Sequence, residues 1–174
     1  AGPQPAVAEI LARFDDEIAP YDLANMVPTD SNSMDDLLAV NWKSVRDVDN
    51  EGYHVRQAHP GLHQLYGDGY FDEPYANGTS RSVGTFNEAY GHRWSVRKYR
   101  EILPEAENLP LHQRRQWIYF GMFPNFVLGL YPDSVIYYQE VPQSATQTVQ
   151  RGMCYRRREE SREMKAARYL SGRI

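Results

Sequence analysis

The chain has 174 residues, of which 41% are hydrophobic and 24% are charged, and its formal net charge is −4. This balance predicts one globular domain with its own core, and the negative charge gives no general attraction to nucleic acid or to an anionic membrane. No hydrophobic run approaches the roughly 20 residues of a membrane span, and Cys154, the only cysteine, excludes an internal disulfide or a cysteine-held iron–sulfur cluster within these residues.

The start of the chain predicts a linker followed by a helix. Residues 6–19 carry hydrophobic side chains at helical spacing, and Pro20 ends the pattern. The Gly/Pro-rich residues before them are typical of a linker that follows an upstream segment. This stretch lacks the basic and then apolar pattern of a signal peptide, so we expect a cytoplasmic protein.

The next part of the chain predicts a strand and a helix followed by a loop. Pro60 and Gly61 are expected to stop the helix, and the Gly, Asp, Asn and Tyr residues after it favour a long loop. The predicted segments are an extended stretch at 20–34 with a loop at 28–33, a short apolar strand at 37–42, a helix at about 43–58 and the loop at 66–80.

The second half is rich in strand-like patterns. Residues 103–113 predict a loop with some helical content, and 157–171 predict a closing helix. The strands are expected near 80–90, 117–122, 125–131, 135–141 and 146–155, with turns at 132–133 and 142–144. An antiparallel sheet packed on helices from both ends of the chain follows from this order, which is an α+β fold in a single domain.

Residues 50–63 contain three of the five histidines, beside Glu51. Glu51 and His54 are three residues apart, so they are neighbours on a helix. His54 and His59 would diverge by about 140° on a straight helix. They can share a metal only if the helix distorts between them, and Pro60 supplies a reason, because the residue before a proline avoids helical geometry.

The spacing alone leaves several readings open. The histidines can be hydrogen-bonded side chains at a polar helix end, or they can form a mononuclear site of two histidines and one carboxylate. Such a site leaves coordination positions free and suits non-haem Fe(II). The same donor set also suits a hydrolytic zinc ion.

The stretch N-W-K-x3-D-x3-E-G-Y-H-x4-H-P at residues 41–60 resembles the catalytic domain of the alpha subunit of Rieske-type ring-hydroxylating oxygenases. Two further stretches are similar to that family. Residues 2–11 resemble the junction after the Rieske domain, and 118–133 resemble the F-P-N strand pair that lines the substrate cavity. The resemblance implies a helix-grip fold, in which a curved antiparallel sheet wraps around a helix.

The resemblance also implies roles for individual residues. His54 and His59 would be ligands of Fe(II), and Glu51 would be the acid that links the iron to a neighbouring subunit's Rieske cluster. Asp47 falls where many members have Asn near the iron, although a solvent-facing acid is an equal reading. Phe120, Met122, Phe123, Phe126 and Leu128 are candidates for an apolar cavity lining, with half of any strand facing elsewhere.

The function implied is oxygenation of a small organic, most readily aromatic, substrate, by hydroxylation or demethylation with O2. Electrons would come from NAD(P)H through a reductase or ferredoxin and a [2Fe-2S] Rieske cluster. The full enzyme would be a homotrimer or an α3β3 assembly. The alternative function is a helix-grip module that binds an apolar ligand without metal. For the substrate, Tyr and Trp side chains can instead form an aromatic cage for a trimethylammonium group.

This sequence departs from the family pattern in two places. One cysteine cannot hold a Rieske cluster, and the family's third iron ligand, an Asp on a C-terminal helix, is expected beyond Ile174. Glu159, Glu160 and Glu163 precede that position and are read as solvated. Residues 1–174 are therefore expected to be a fragment, lacking the Rieske domain and the C-terminal end and inactive by itself.

Overall fold

The computed structural model describes residues 6–89 and 91–174, with the side chains of 30–32 excepted, and one antiparallel sheet carries the fold. The seven strands are β1 (Met26–Leu38), β2 (Tyr70–Pro74), β3 (Thr79–Thr85), β4 (Gln116–Met122), β5 (Phe126–Tyr131), β6 (Ser134–Ser144) and β7 (Gln147–Arg157). Their order across the sheet is β1-β7-β6-β5-β4-β3-β2, so consecutive strands are neighbours except β1, which pairs with β7.

Within the described residues, seven helices lie on the two faces of this sheet. They are α1 (Val7–Leu11), α2 (Asp15–Ile18), α3 (Trp42–Asp49), α4 (Val55–Ala58), α5 (Pro60–Tyr66), α6 (Trp94–Ile102) and α7 (Arg162–Ser171). None of the described helices has the length and apolar character needed to cross a membrane.

Strand alternation divides the core into two layers. Ile118 and Phe120 on β4 pack against Phe14 of the N-terminal helical segment. Trp117 on the same strand points to the other face and packs with residues of α5, α6 and α7, among them Tyr99. The α+β arrangement predicted from the sequence is therefore confirmed, with helices from both ends of the chain on the sheet.

The strands of the second half were predicted to within a few residues. Strand β3 ends at Thr85 rather than near residue 90, and Tyr90 itself lies outside the described residues. The N-terminal helix is divided into α1 and α2, with short 3-10 turns after each.

Several predictions about local structure are wrong. Residues 66–80 are not a long loop, because β2 forms a hairpin with β3 that turns at Gly78, whose φ is 81°. The strand expected at 37–42 ends at Leu38, since Asn41 caps α3 by accepting a hydrogen bond from the backbone N–H of Lys43 at 3.0 Å. Helix α6 was not predicted at all.

The helix boundaries around Pro60 and at the end of the chain also differ. The helix expected at 43–58 is broken into α3 and α4, and Pro60 begins α5 instead of ending a helix. A proline is well suited to a first helical turn, because its missing N–H would have no partner there. The closing helix starts at Arg162 and not at 157, because β7 extends to Arg157 and Ser161 then caps α7.

Candidate metal centre and substrate cavity

The break between α3 and α5 brings His54 and His59 together. His54 lies directly before α4, and His59 lies between α4 and α5 with φ −122° and ψ 67°, outside helical geometry. The two imidazole rings are 5.2 Å apart between centroids, with their planes at 76°. Pro60 favours a non-helical backbone conformation at the preceding residue, His59. This conformation turns the imidazole of His59 back toward that of His54.

Glu51 fixes the orientation of the His54 ring. Its Oε1 lies 2.6 Å from Nδ1 of His54, and its Oε2 accepts a hydrogen bond from the backbone N–H of His54 at 3.2 Å. A carboxylate at Nδ1 keeps a proton on that nitrogen and leaves Nε2 with a free lone pair. The remaining nitrogen of His54 is therefore the one that can bind a metal.

The electrostatics favour a neutral imidazole at His59. Burial, and secondly the neighbouring His54, hold the pKa of His59 below its ordinary value. A metal binds the neutral form of histidine, so a lowered pKa reduces the competition from protons at neutral pH.

A cavity of about 380 Å³ lies between this helical segment and the sheet. Glu51, His54 and His59 all line it. Its aromatic walls come from neighbouring strands: Tyr70 on β2, Trp117 and Tyr119 on β4, Tyr131 on β5 and Tyr138 on β6. The cavity therefore combines the two imidazoles with five aromatic side chains from the sheet.

The strand register decides which residues reach this cavity. None of the five apolar residues proposed as its lining does so, and Phe126 and Leu128 line a groove on the opposite face of the sheet. The lining is instead made by strand residues whose side chains point to the other face of the sheet, such as Tyr119 and Val127. Adjacent strand residues point to opposite faces, so an offset of one residue changes the face.

Helix α3 presents Asp49, not Asp47, to the cavity. Asp47 is exposed and does not line the cavity, whereas Asp49 is half-buried and does. Tyr138 donates a hydrogen bond to Oδ1 of Asp49 at 3.3 Å. Sequence reasoning missed Asp49, although its spacing of three residues from the buried Arg46 places both on the sheet-facing side of the helix.

A second buried acid lies behind Asp49. Glu140 on β6 has no exposed surface, and its carboxyl group interacts with that of Asp49. Burial, and secondly the charge of Glu140, raise the pKa of Asp49 to about 7. This side of the cavity is therefore acidic, and its protonation changes near neutral pH.

The last helix is held against the cavity by a buried carboxylate. Asp133 accepts hydrogen bonds from the hydroxyl of Tyr99 at 2.5 Å and from the hydroxyl of Ser171 at 2.7 Å. The same Tyr99 oxygen accepts a hydrogen bond from the indole N–H of Trp117 at 3.1 Å. Through these contacts α7 is tied to the sheet, and Ser171 and Ile174 contribute to the cavity wall.

The acids of the last helix do not complete a metal site. Among the described residues, no group of three or more His, Cys, Asp and Glu is arranged to hold a metal ion. Glu159 and Glu163 are exposed, as predicted, but the expectation that Glu160 is solvated is wrong. Its side chain is only 10% exposed, because it pairs with the guanidinium of Arg168 at 2.9 Å. The donors present fit the two-histidine part of a mononuclear iron site and supply no carboxylate ligand.

Comparison with known proteins identifies relatives of this arrangement. The chain is 31% identical over 101 residues to the glycine betaine monooxygenase oxygenase subunit of Chromohalobacter salexigens, an alignment that covers 55% of this chain and 22% of that protein. Its fold is similar to that of the quaternary ammonium Rieske monooxygenase CntA, with a TM-score of 0.69 at 16% identity over 98% of this chain and 43% of the other.

A ring-oxidising enzyme shares the fold as well. The structure of naphthalene 1,2-dioxygenase from Rhodococcus sp. bound to indole matches with a TM-score of 0.63 at 13% identity, over 96% of this chain and 44% of the other. The chain thus spans less than half the length of these relatives. The family model described as ring hydroxylating alpha subunit (catalytic domain) matches residues 21–174. The chain therefore belongs to the ring-hydroxylating alpha-subunit family, as its sequence motif predicted, and matches the catalytic domain of that family.

Proposed function

We propose that this chain is the catalytic domain of a Rieske-type oxygenase that uses O2 to hydroxylate or demethylate a small organic substrate. The convergence of His54 and His59 at the edge of the cavity, with Glu51 on Nδ1 of His54, is the observation that carries this proposal. Membership of the ring-hydroxylating alpha-subunit family supports it.

His54, through Nε2, and His59 would hold a mononuclear Fe(II). When bound, this iron supplies the centre at which O2 is reduced beside the substrate. Glu51 holds the tautomer of His54, and it remains partly exposed, with 30% of its side-chain surface accessible. A partly exposed carboxylate bonded to an iron ligand suits the proposed contact with a Rieske cluster of a neighbouring subunit, through which electrons would arrive.

The third iron ligand is proposed to be a carboxylate that follows Ile174 in the complete protein. The position of Ser171 and Ile174 supports this, since both line the same cavity as the two histidines. Such a ligand would complete the set of two histidines and one carboxylate that leaves positions free for O2.

For the substrate, we propose a small molecule with a methylated ammonium group. Tyrosine and tryptophan faces attract quaternary ammonium groups, and five such side chains line the cavity. The similarity to a glycine betaine monooxygenase supports this class. An aromatic substrate, expected from the sequence, is the alternative that the similarity to naphthalene 1,2-dioxygenase favours.

The proposed partners follow from the same reading. A [2Fe-2S] Rieske domain, a reductase or ferredoxin and NAD(P)H would supply electrons to a homotrimeric or α3β3 enzyme in the cytoplasm.

The competing function is a binding module that holds its ligand without metal. That module would have no use for the Glu51–His54–His59 arrangement, and a hydrolytic zinc enzyme is disfavoured by the family.

The experiment that tests this function is NADH-driven turnover of the complete protein with its reductase. We expect product formation and matching O2 consumption with wild type, and loss of both in His54→Ala. The matched control is His112→Ala, which removes an exposed histidine outside the cavity lining. Ligand binding without any O2 consumption, or turnover unaffected by His54→Ala, would favour the binding module or another site.

A further inference from the structure

One acidic side chain, Asp49, lines the cavity among aromatic rings, and a second acid lies behind it. Asp49 lines the cavity, and Glu140 stands behind it on the same face of β6 as Ile136 and Tyr138, which also line the cavity. Side chains two residues apart on a strand share a face, so Glu140 points to the cavity side of the sheet, although it is fully buried and does not reach the cavity itself.

These carboxyl groups lack the partners that buried charges require. Glu140 is 0% exposed, and within the described residues its carboxylate oxygens have no hydrogen-bond partner apart from the carboxyl group of Asp49. Oδ2 of Asp49 is likewise buried without a hydrogen-bond donor among them. Burying an unpaired carboxylate is costly, so such groups are normally matched by a cation, a proton or a ligand.

Arg46 compensates only part of this charge. Arg46 is 5% exposed and lies on the same side of α3 as Asp49. Its guanidinium group packs against Gly121, where an added Cβ would be 2.3 Å from Nη2 of Arg46. Its Nε and Nη1 donate no hydrogen bond within the part of the chain that the structure describes, so it forms no hydrogen-bonded pair with either acid through them. With both acids ionised, the three side chains leave one negative charge uncompensated.

The neighbouring aromatic side chains are suited to an organic cation. Tyr138 on β6, which donates to Asp49, and Tyr119 on β4 lie on the same face of the sheet, and both line the cavity. Aromatic faces and a buried carboxylate attract the same kind of ligand, a cation with an apolar surface, whereas a neutral aromatic substrate would leave the charge of the two acids compensated only in part, by Arg46.

We propose that Asp49, supported by Glu140, is the substrate-binding residue that provides the counter-charge for an organic ammonium group in the cavity. The inference rests on the proposed function for the identity of the cavity as the substrate site. It adds to that function the residue pair that makes the cavity select a cation over a neutral molecule of the same shape.

The test is calorimetric binding to the complete, iron-loaded protein. The probes are choline and dimethylbutanol, its uncharged analogue in which a carbon replaces the quaternary nitrogen. We expect wild type to bind choline at least about tenfold more tightly, because a buried charge pair contributes more than shape alone. Equal affinity of wild type for the two compounds would overturn the proposal.

Three variants show which residues are responsible for the preference for choline over dimethylbutanol. Asp49→Asn keeps the size of the side chain and should abolish the preference, while dimethylbutanol binds as in wild type and shows that the cavity is intact. Glu140→Gln should reduce the preference, and Asp16→Asn, an exposed acid on α2, should leave it unchanged. A full preference in Asp49→Asn would contradict the proposal.

If Asp49→Asn binds neither compound, the Glu140→Gln variant provides the test. A reduced preference of this variant for choline over dimethylbutanol supports the counter-charge role. An unchanged preference overturns it. Turnover measured on the same samples separates this inference from the proposed function. An active oxygenase without a preference for choline would refute the counter-charge alone. A preference for choline in a protein that consumes no O2 would refute the oxygenase function and leave the cation site standing.

Discussion

Glu51 and His54 form the closest polar contact of the site, with 2.6 Å between Oε1 of the acid and Nδ1 of the imidazole. The second oxygen of Glu51 accepts from the backbone N–H of His54, so one carboxylate holds both the ring and the turn that carries it. Glu51 therefore acts on His54 from the side away from a metal, and replacing it tests a positioning role.

Glu51→Gln is expected to leave iron bound while it lowers turnover. The amide preserves the size of the side chain but removes the charge, and loss of such an outer partner typically costs about 10–100-fold in activity or affinity. Iron analysis and NADH-driven product formation on the same samples measure the two effects. Turnover close to wild type would refute the positioning role, and loss of iron would instead make Glu51 a ligand.

Choline affinity should rise with pH around neutrality. The pKa of Asp49 is raised to about 7, first by burial and then by Glu140, while Arg46 opposes the shift and Tyr138 donates to the ionised form. Below this pKa Asp49 is protonated and neutral, and above it the ionised carboxylate attracts the cation. We expect affinity to increase about tenfold between about pH 6 and about pH 8. Calorimetry across this range measures it.

The pH profile has its own control. Dimethylbutanol carries no charge, so its affinity should stay flat over the same range. Asp49→Asn should make the choline profile flat as well. A steep choline profile that persists in this variant would assign the titration to another group.

Gly61→Ala should destabilise the fold near the cavity. An added Cβ on Gly61 would lie 2.0 Å from the backbone carbonyl oxygen of Ile174, and backbone atoms have little freedom to move away. Overpacking of this kind costs about 1–3 kcal/mol in free energy of unfolding. Gly172→Ala is the matched control, since its nearest neighbours would be 3.8 Å away. Denaturant unfolding that does not distinguish the two variants would contradict the packing described.

Asp133→Ala should loosen α7. The substitution leaves the buried hydroxyl of Tyr99 without its acceptor and removes one of the two acceptors of Ser171, whose hydroxyl also donates to the carbonyl oxygen of Arg168. Because an unsatisfied buried donor costs about 1–3 kcal/mol, we expect the free energy of unfolding to fall by about that amount. Asp16→Ala, at an exposed position, should change it little. Hydrogen exchange of α7 amides would show whether the loss is local, and unchanged protection there would contradict the anchoring role.

Much of the candidate metal centre was predictable because its residues are close in sequence. Glu51, His54 and His59 lie within nine residues, and the proline after His59 explains why the helix breaks between the two imidazoles. What local patterns did not indicate is that Pro60 starts a new helix. A proline is compatible with either outcome, and the packing of α5 on the core decides between them.

The acidic end of the cavity could not be predicted in the same way. Asp49 and Glu140 are far apart in the sequence, and only the packing of α3 against β6 brings their carboxyl groups together. The pattern around Asp47 directed attention to an acid that the structure leaves exposed. Strand β2 was missed for a similar reason, since its polar sequence is stabilised by pairing with β3 and not by an apolar face of its own.

The most direct test of the central claim is the mononuclear iron content of the complete protein after dialysis. Elemental analysis gives total iron, and acid-labile sulfide gives the share that belongs to the Rieske cluster. Iron in excess of the cluster should be present in wild type and in His112→Ala, and it should be lost from His54→Ala and from His59→Ala. Excess iron that persists in both site variants would contradict the assignment of these two histidines as the metal centre.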